Sequence, residues 1–160
     1  MYNKLSNETD FDKLSNTEKS EYIKSYYNNK HVNDIYATSP DYNLRELEID
    51  FILSHIFGDK ILDLGCGNGY TAFRIAEKRK ADIIGVDFSH KLINGAKVLS
   101  NKFKNKIQSM PKFIEKDAIQ FIEDVPNNSF STVITERFLL NLPSKEEQFN
   151  TINTIHSKLK

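Results

Sequence analysis

The amino-acid sequence predicts an α/β fold in which a parallel sheet carries helices on both of its faces. From Asp59 onward, short apolar runs alternate with segments of helical periodicity, and the connections between them are short. Strands that alternate with helices in this way run parallel and are joined by right-handed crossovers. The runs that begin at Ile61 and Ile83 open on consecutive apolar residues, which is typical of strands covered on both faces.

Length and composition limit the classes of protein to which the chain can belong. Its 160 residues are the usual size of one domain, and 39% of them are hydrophobic, which is enough for a core. The 22 basic and 22 acidic residues give a formal net charge of zero, so no overall field attracts nucleic acid or an anionic membrane. Apolar runs are too short to span a bilayer, and the polar N-terminus lacks a signal-peptide pattern. We therefore expect a cytoplasmic protein without a nucleic-acid or membrane partner.

The N-terminal part of the chain divides into an arm and the start of the domain. Residues 1–36 are rich in Asn, Ser, Lys and Tyr and predict a polar arm with a short helix near residues 18–27. Residues 37–160 form the predicted domain. Its first helix has Asn43 as N-cap and Glu46 in the position of a capping box. Apolar residues at helical spacing predict its buried face, namely Leu44, Leu47, Phe51, Ile52 and Ile56.

Four strands and four helices alternate in the rest of the chain. The strands are predicted at residues 61–64, 83–86, 113–114 and 130–135. The first helix after a strand begins near Tyr70, Ser89 caps the second, and a short third helix contains Ile119. The last helix begins at Ser144, which is predicted to form a capping box with Glu147. Its predicted inner face contains Phe149, Ile152, His156 and Leu159.

The most specific local pattern is a glycine loop at residues 65–69, GCGNG, directly after the first strand. Glycines allow a tight turn and a close approach of the backbone to a ligand, and the following helix offers unpaired N–H groups. Tyr70 stands where a dinucleotide fingerprint requires glycine, and no Walker lysine follows. Asp87 ends the next strand, 18 residues after Gly69, where a carboxylate can accept hydrogen bonds from both hydroxyls of a ribose. Together these features predict a nucleoside-binding site.

Four segments resemble, in order, the motifs of the class I S-adenosyl-L-methionine (SAM)-dependent methyltransferases. They are residues 61–69 (ILDLGCGNG), 84–89 (IGVDFS), 113–118 (FIEKDA) and 130–142 (FSTVITERFLLNL). The resemblance extends from about Leu44 to the last residue. It implies a Rossmann-like sheet, SAM as cofactor, methyl transfer as the reaction and S-adenosyl-L-homocysteine (SAH) as the product.

The resemblance also implies roles for the residues of the first two motifs. The methionine part of SAM is expected beside Asp63 and the glycine loop, at Gly65, Cys66, Gly67 and Gly69. The nucleoside is expected at the second motif, where Asp87 binds the ribose hydroxyls and Phe88 lies against the adenine. Cys66 has an alternative interpretation as a nucleophile, but a loop position packed against the cofactor explains it better. Because Cys66 is the single cysteine, the chain cannot form an internal disulfide. No metal site is expected.

The third and fourth motifs complete the expected site. Asp117 would accept a hydrogen bond from the adenine amino group, and Ala118 would contact the adenine edge. Thr135 and Glu136 would border the transferred methyl group. Glu136 is also the candidate general base. In the alternative interpretation, Glu136 only serves as a partner of Arg137. Arg137 either holds an anionic substrate or structures its own loop.

The substrate is less well defined than the cofactor. The fourth motif lacks the Pro-Pro form of methyltransferases that act on amino groups of DNA bases or glutamine, so we expect a small-molecule acceptor, which includes sugar-like compounds. Tyr36 belongs to a segment, residues 36–42, that is either a lid reaching the site with Arg45 or a turn before the next helix. Two alternative functions are a SAM-binding module without turnover and a nicotinamide oxidoreductase, and Tyr70 argues against the latter.

The sequence also departs from the family pattern. The family's sheet has seven strands, and four are counted here, so we expect a truncated domain that lacks its last strands and whose catalysis is uncertain. In the family's strand order, residues 130–135 would lie at an unpaired apolar edge. Such an edge favours association. We therefore expect self-association through this edge, or its coverage by the chain's own arm.

Overall fold

The computed structural model describes residues 11–29 and 41–160. These residues form six α-helices, four strands and one 3₁₀ turn (Leu139–Asn141). The helices are α1 (Asn16–Asn28), α2 (Tyr42–His55), α3 (Tyr70–Lys78), α4 (His90–Phe103), α5 (Ala118–Asp124) and α6 (Lys145–Lys158). The strands are β1 (Lys60–Leu64), β2 (Asp82–Asp87), β3 (Lys112–Glu115) and β4 (Thr132–Ile134). Among the described residues, no helix is both long enough and apolar enough to cross a bilayer.

The four strands form one parallel sheet in the order β3-β2-β1-β4. The chain moves outward from β1 to β3 and then returns to the other side of β1 to form β4. The strand order therefore reverses between β1 and β4, and ligands of open parallel sheets bind beyond the carboxyl ends of the strands at such a reversal. Asp63 of β1 pairs in register with Gly85 on one side and Ile134 on the other.

Helices cover both faces of the sheet, as the sequence predicts. Ile61 and Leu62 are both completely buried but point to opposite faces because side chains alternate along a strand. Ile61 packs in a cluster with Ile75 of α3, and Leu62 packs in a separate cluster with Ile122 of α5. Burying one such side chain contributes about 1.5–3 kcal/mol, so the two clusters hold helices on both sides of β1.

The prediction for α2 was wrong in its cap and in part of its buried face, whereas Ile52 and Ile56 pack against the core as predicted. Asp41 is the N-cap and accepts a hydrogen bond from the Leu44 amide at 3.0 Å, whereas Asn43 lies inside the helix. Glu46 bonds to side chains of α3 instead of closing a capping box. Three of the expected inner residues are exposed, namely Leu44, Leu47 and Phe51. The helix is apolar on two sides, and the side that faces the core carries Ile49, Ile52, Leu53 and Ile56.

The caps of the later helices were predicted well, and the inner face of α6 was not. Ser89 caps α4 and Ser144 caps α6, where its hydroxyl accepts from the Glu147 amide. The expected inner residues Phe149 and Ile152 of α6 are exposed. The helix turns a different side to the core, where Ile155 packs against the cluster around Leu62. The predicted helix near residues 18–27 is confirmed as α1.

β4 lies at the edge of the sheet, as expected, and is shorter than predicted. Its residues Thr132–Ile134 pair with β1 alone among the described residues. Phe130, just before β4, forms an isolated parallel bridge with Leu159. The Phe130 amide donates to the Lys158 carbonyl at 3.0 Å, and the Lys160 amide donates to the Phe130 carbonyl at 3.0 Å. The segment after α6 thus covers the beginning of this edge.

Gly69 generates a prediction about stability. It lies just before α3 with φ of 73°, and a Cβ there would lie 2.4 Å from the ring of Phe113. We expect Gly69→Ala to lower the free energy of unfolding by roughly 2–4 kcal/mol, because overpacking adds to the cost of a left-handed conformation. Urea denaturation followed by circular dichroism measures this loss. Phe113→Leu in the same background should recover part of it, and a Gly69→Ala protein as stable as the wild type would contradict the packing described here.

Candidate functional site

A cleft of about 160 Å³ opens at the carboxyl ends of β1, β2 and β4. Its walls come from the loops after all four strands and from one face each of α1 and α2. The segment after β1 contributes Asp63, Gly65, Cys66 and Gly67, and the segment after β2 contributes Asp87 and Phe88. Asp117 and Ala118 follow β3, and Glu136, Arg137 and Phe138 follow β4. Ten of the predicted site residues therefore meet at one cavity.

Backbone hydrogen bonds fix the glycine loop to the end of β2. The amides of Gly65 and Cys66 both donate to the carbonyl of Val86, at 2.8 and 3.0 Å. The Gly67 amide donates to Asp87 Oδ2 at 2.9 Å. Gly65 and Gly67 have φ of 72° and 56°, a conformation that glycine adopts without steric cost. The sequence therefore forms this loop because glycine stands at the positions that need left-handed backbone.

Asp87 joins the two strand ends through its carboxylate. Its side chain is buried, Oδ2 accepts from the Gly67 amide and Oδ1 accepts from the Ser89 amide at 2.8 Å. Burial raises the pKa of Asp87, and the two amide hydrogen bonds oppose that rise. A carboxylate oxygen can accept more than one hydrogen bond, so both oxygens retain capacity toward the cleft.

Asp63 is a buried acid whose surroundings disfavour its charged form. It is 2% exposed, and its Oδ2 has no hydrogen-bond partner among the described residues. Burial, followed by the nearby Glu136 and Asp87, raises the pKa of Asp63 to about 8, and Arg45 acts in the opposite direction. A buried acid without a partner on the wall of a cavity is an indication of a ligand site.

Glu136 and Arg137 each have a specific partner. Thr71, in the first turn of α3, donates to Glu136 Oε2 at 2.6 Å. Arg137 forms an ion pair with Glu48, so its guanidinium is tied to α2. Arg137 has φ of 57°, which is strained for a residue other than glycine, and its carbonyl accepts from Asn141 Nδ2. These contacts support the interpretation that Arg137 structures its own loop.

The thiol of Cys66 is placed for packing. It is buried, and an added Cβ at Gly85 would lie 2.9 Å from its sulfur, so the thiol occupies the space that glycine leaves on β2. Burial, with Asp63 and Asp87 adding to it, raises the pKa of Cys66 well above its ordinary value. A thiol must lose its proton to act as a nucleophile, so this environment argues against that role. In the described part of the chain, no cluster of three or more His, Cys, Asp and Glu residues has the arrangement of a metal site.

Two of the residues expected at the adenine, Asp117 and Phe88, contact helix α1. Asp117 caps α5, with Oδ1 accepting from the Ile119 amide at 3.1 Å. Its Oδ2 lies 3.5 Å from Lys24 Nζ of α1. The Phe88 ring packs edge-on against Tyr27 of α1, with 6.5 Å between the ring centroids.

Helix α1 forms a wall of the cleft that the sequence analysis did not foresee. One of its faces lines the cavity through Ser20, Ile23, Lys24 and Tyr27. Asn28 Oδ1 accepts from the Ser89 hydroxyl at 2.8 Å, and Asn141 Nδ2 donates to the Tyr27 hydroxyl at 3.1 Å. The spacing of the four lining residues is helical, and that spacing is the signal in the sequence from which this face could have been predicted.

Two predicted site residues do not line the cleft, and a third is outside the described part of the chain. Gly69 does not line the cleft, because it faces Phe113 and Ala96 on the other side of the loop. Thr135 does not line it either, and its carbonyl accepts from the Phe138 amide at 3.1 Å to close a turn. Tyr36 falls outside the described residues, as does most of the proposed lid segment.

The comparison with protein families decides the relationship. The family described as "Methyltransferase domain" matches residues 57–159. This chain belongs to that family. The matched range includes the glycine loop, all four strands and most of the residues that line the cleft.

Individual relatives are more distant. A ubiquinone biosynthesis O-methyltransferase of Aliivibrio fischeri is 27% identical over 107 residues, which cover 65% of this chain and 43% of the relative. The chain therefore spans less than half the length of that curated relative. A sterol 24-C-methyltransferase of Pneumocystis carinii is 32% identical over 95 residues, which cover 59% of this chain and 24% of the relative.

Among solved structures, the magnesium protoporphyrin IX methyltransferase of Synechocystis PCC 6803, crystallised with bound SAM, superposes with a TM-score of 0.63 and 17% identity. The superposition covers 92% of this chain and 73% of that protein. A second structure is the phosphoethanolamine N-methyltransferase 1 of Haemonchus contortus, in complex with phosphoethanolamine and S-adenosylhomocysteine. It superposes with a TM-score of 0.66 and 16% identity, and the superposition covers 91% of this chain and 30% of that protein. At these identities, the superpositions show a common fold.

Asp63 generates a prediction about pH. Its pKa of about 8 in the folded chain lies above the ordinary value of 3.8, so the folded protein keeps a proton that the unfolded chain loses. Stability should therefore fall as the pH rises through this interval, by an amount on the order of a few kcal/mol. Urea denaturation of the ligand-free protein at about pH 5 and about pH 8 measures the fall.

The variant Asp63→Asn keeps the volume of the side chain and removes the titrating group, so its stability should change less between the two pH values. Asp82→Asn, at a half-exposed carboxylate of β2, serves as the matched control and should follow the wild type. Identical pH profiles for the wild type and Asp63→Asn would contradict the assignment of this titration to Asp63.

Proposed function

We propose that this chain binds SAM in the cleft and transfers its methyl group to a small-molecule acceptor. The observation that carries the proposal is the buried Asp63, whose Oδ2 lacks a partner among the described residues and lies at the end of β1 beside the glycine loop. A cationic group placed there gains a charge-assisted hydrogen bond. SAM carries two positive groups, an amino group and a sulfonium.

The methionine end of SAM fits the charges at the centre of the cleft. Asp63 would accept a hydrogen bond from its amino group. Arg45, 3% exposed and on the same cavity wall, would bind its carboxylate. The backbone of Gly65 and Gly67 has no side chain to exclude the ligand at close approach. The charges of Asp63 and Arg45 are thus opposite to those of the amino group and the carboxylate of SAM, and the acids also suit its sulfonium.

The nucleoside end fits the neighbouring strand ends. Asp87, held in place by the amides of Gly67 and Ser89, would accept hydrogen bonds from the two ribose hydroxyls. Phe88 and Ala118 would contact the adenine faces and edge, and Asp117 Oδ2 would accept from its amino group. Lys24 already lies 3.5 Å from this oxygen, so the adenine would bind beneath α1.

The rest of the chemistry concerns position and access. When bound, SAM supplies a methyl group on a sulfonium, which the lone pair of an acceptor displaces in line. Holding two reactants in this geometry lowers a barrier by roughly 7–11 kcal/mol at best. Helix α1 would exclude water from the cleft, and Glu136, fixed by Thr71, would receive the proton of an acceptor that must lose one.

The shape of the cleft favours a small acceptor. Helix α1 lines the cavity, which measures about 160 Å³, and hydrogen bonds join it to the segments after β2 and β4. Lining residues that are not assigned to SAM include the polar Asn141 and Glu147 and the apolar Phe138 and Leu142. A hydroxylated acceptor, such as a sugar-like or phenolic alcohol, matches this mixture. The relatives named above act on acceptors of different chemistry, so the acceptor has to be found by screening.

Isothermal titration calorimetry with SAM and SAH, followed by a methyl-transfer assay that measures SAH release, tests the proposal. We expect both compounds to bind, NADH not to bind, and a panel of small alcohols, phenols and amines to contain an acceptor. Binding without turnover against the whole panel would favour the alternative of a SAM-binding module. A protein that binds neither SAM nor SAH would contradict the proposed function.

Asp87 provides a second test. We expect Asp87→Ala to weaken SAH binding by roughly tenfold or more, because each lost hydrogen bond to a charged group contributes about 1.5–3 kcal/mol. The same measurement with a 2′-deoxy analogue of SAH separates ribose binding from general damage to the loop. The wild type should discriminate against the analogue, and Asp87→Ala should not. A variant that retains the discrimination would remove Asp87 from the ribose site.

A further inference from the structure

The ring of Tyr70 faces the arginine that α2 places in the cleft. Tyr70 is the first residue of α3, directly after the glycine loop, and Arg45 Cζ lies 4.7 Å from the centroid of its ring. Both side chains are buried, at 6% and 3% exposure. A guanidinium over an aromatic face is attracted by the ring electrons, and the attraction grows when water is excluded. The ring is therefore a favourable contact for a buried cation.

Tyr70 is itself held firmly. Its hydroxyl donates to Glu46 Oε1 at 3.0 Å and accepts from Arg74 Nη1 at 3.1 Å. Arg74 also forms an ion pair with Glu46. On the far side, the Tyr70 ring packs edge-on against Phe103 of α4, with 6.3 Å between the centroids. The ring thus cannot turn away without breaking several contacts.

The contacts of Tyr70 reach two consecutive residues of α2. The hydroxyl bonds to Glu46, and the ring faces Arg45. This pairing fixes α2, and with it the arginine, relative to the glycine loop. The position of Arg45 therefore depends on a residue that follows the loop directly in sequence.

Charges around Arg45 explain why such a fixed contact matters. Burial lowers the pKa of Arg45, Glu136 and Asp63 raise it, and Arg137 acts against them. The acids attract the guanidinium toward themselves. Contact with the face of the Tyr70 ring adds an attraction that fixes the guanidinium at the cleft.

We propose that Tyr70 is a positioning residue that holds Arg45 for the carboxylate of the ligand and so sets the affinity for its amino-acid end. This inference rests on the function proposed above. It assigns to Tyr70, which occupies the place of a glycine in dinucleotide loops, a role in selecting a nucleoside that carries an amino acid.

Two ligands separate this role from general support of the loop. SAH has the amino-acid end, and 5′-methylthioadenosine has the same nucleoside and sulfur without it. We expect Tyr70→Leu to weaken SAH binding about tenfold and to change 5′-methylthioadenosine binding by no more than about twofold. Tyr70→Phe keeps the ring and should retain SAH binding within about threefold. Calorimetric titration measures the affinity of the wild type and of each variant for these ligands.

A double-mutant cycle tests whether Tyr70 acts through Arg45. Arg45→Gln alone should weaken SAH selectively, and adding Tyr70→Leu to it should leave the ratio of the two affinities unchanged. Thermal melting checks the fold of each variant. If Tyr70→Leu does not melt cooperatively, Tyr70→Met, which fills a similar volume without a ring, replaces it under the same criteria.

The outcomes distinguish the two proposals. A wild type that binds neither ligand contradicts the proposed function itself. A wild type that binds both, with Tyr70→Leu weakening both ligands equally or neither, overturns the role of Tyr70 alone. The double mutant gives one more criterion. If adding Tyr70→Leu to Arg45→Gln lowers the affinity for SAH further relative to that for 5′-methylthioadenosine, the proposed role of Tyr70 is also overturned, because Tyr70 would then act independently of the arginine.

Discussion

Three backbone amides of the glycine loop donate to the end of β2, and these hydrogen bonds determine where the rest of the cleft lies. Val86 accepts from Gly65 and Cys66, and Asp87 accepts from Gly67. The loop is therefore held through its own backbone amides, two of which bond to a carbonyl and one to a carboxylate. Gly65 and Gly67 adopt the left-handed backbone that this arrangement needs. Once the loop is fixed, Asp63 and Asp87 must stand side by side at adjacent strand ends, and α3 must start in the direction that brings Thr71 to Glu136.

The sequence carried enough information for the sheet and for much of the cleft because those features are local. Each strand with its following loop is specified within about ten residues, as in β2 with Asp87 and the cap at Ser89. The inner faces of α2 and α6 were predicted wrongly because both helices carry apolar residues on more than one side. Which side is buried depends on neighbours distant in sequence, such as Ile75 for α2 and Leu62 for α6.

The contacts of α1 were also beyond local inference, although the helical spacing of its lining residues is visible in the sequence. Its anchor, the bond between Asn28 and Ser89, joins residues 61 positions apart. Polar composition predicted an arm, and polar side chains are what this helix uses to reach Ser89, Asp117 and Asn141. None of its described residues is fully buried, so α1 is held by a few hydrogen bonds and an ion pair instead of by a core. Elements held in this way open at lower free-energy cost than core helices.

The raised pKa of Asp63 would couple the binding of a cationic ligand to the release of a proton. With a pKa of about 8, the carboxyl is mostly protonated at neutral pH in the ligand-free chain. A positive group brought next to it favours the ionised form, so occupancy of the cleft expels a proton. The heat of association must then include the ionisation enthalpy of whichever buffer captures that proton. Titrations in phosphate and in Tris would differ in apparent enthalpy while reporting the same number of sites.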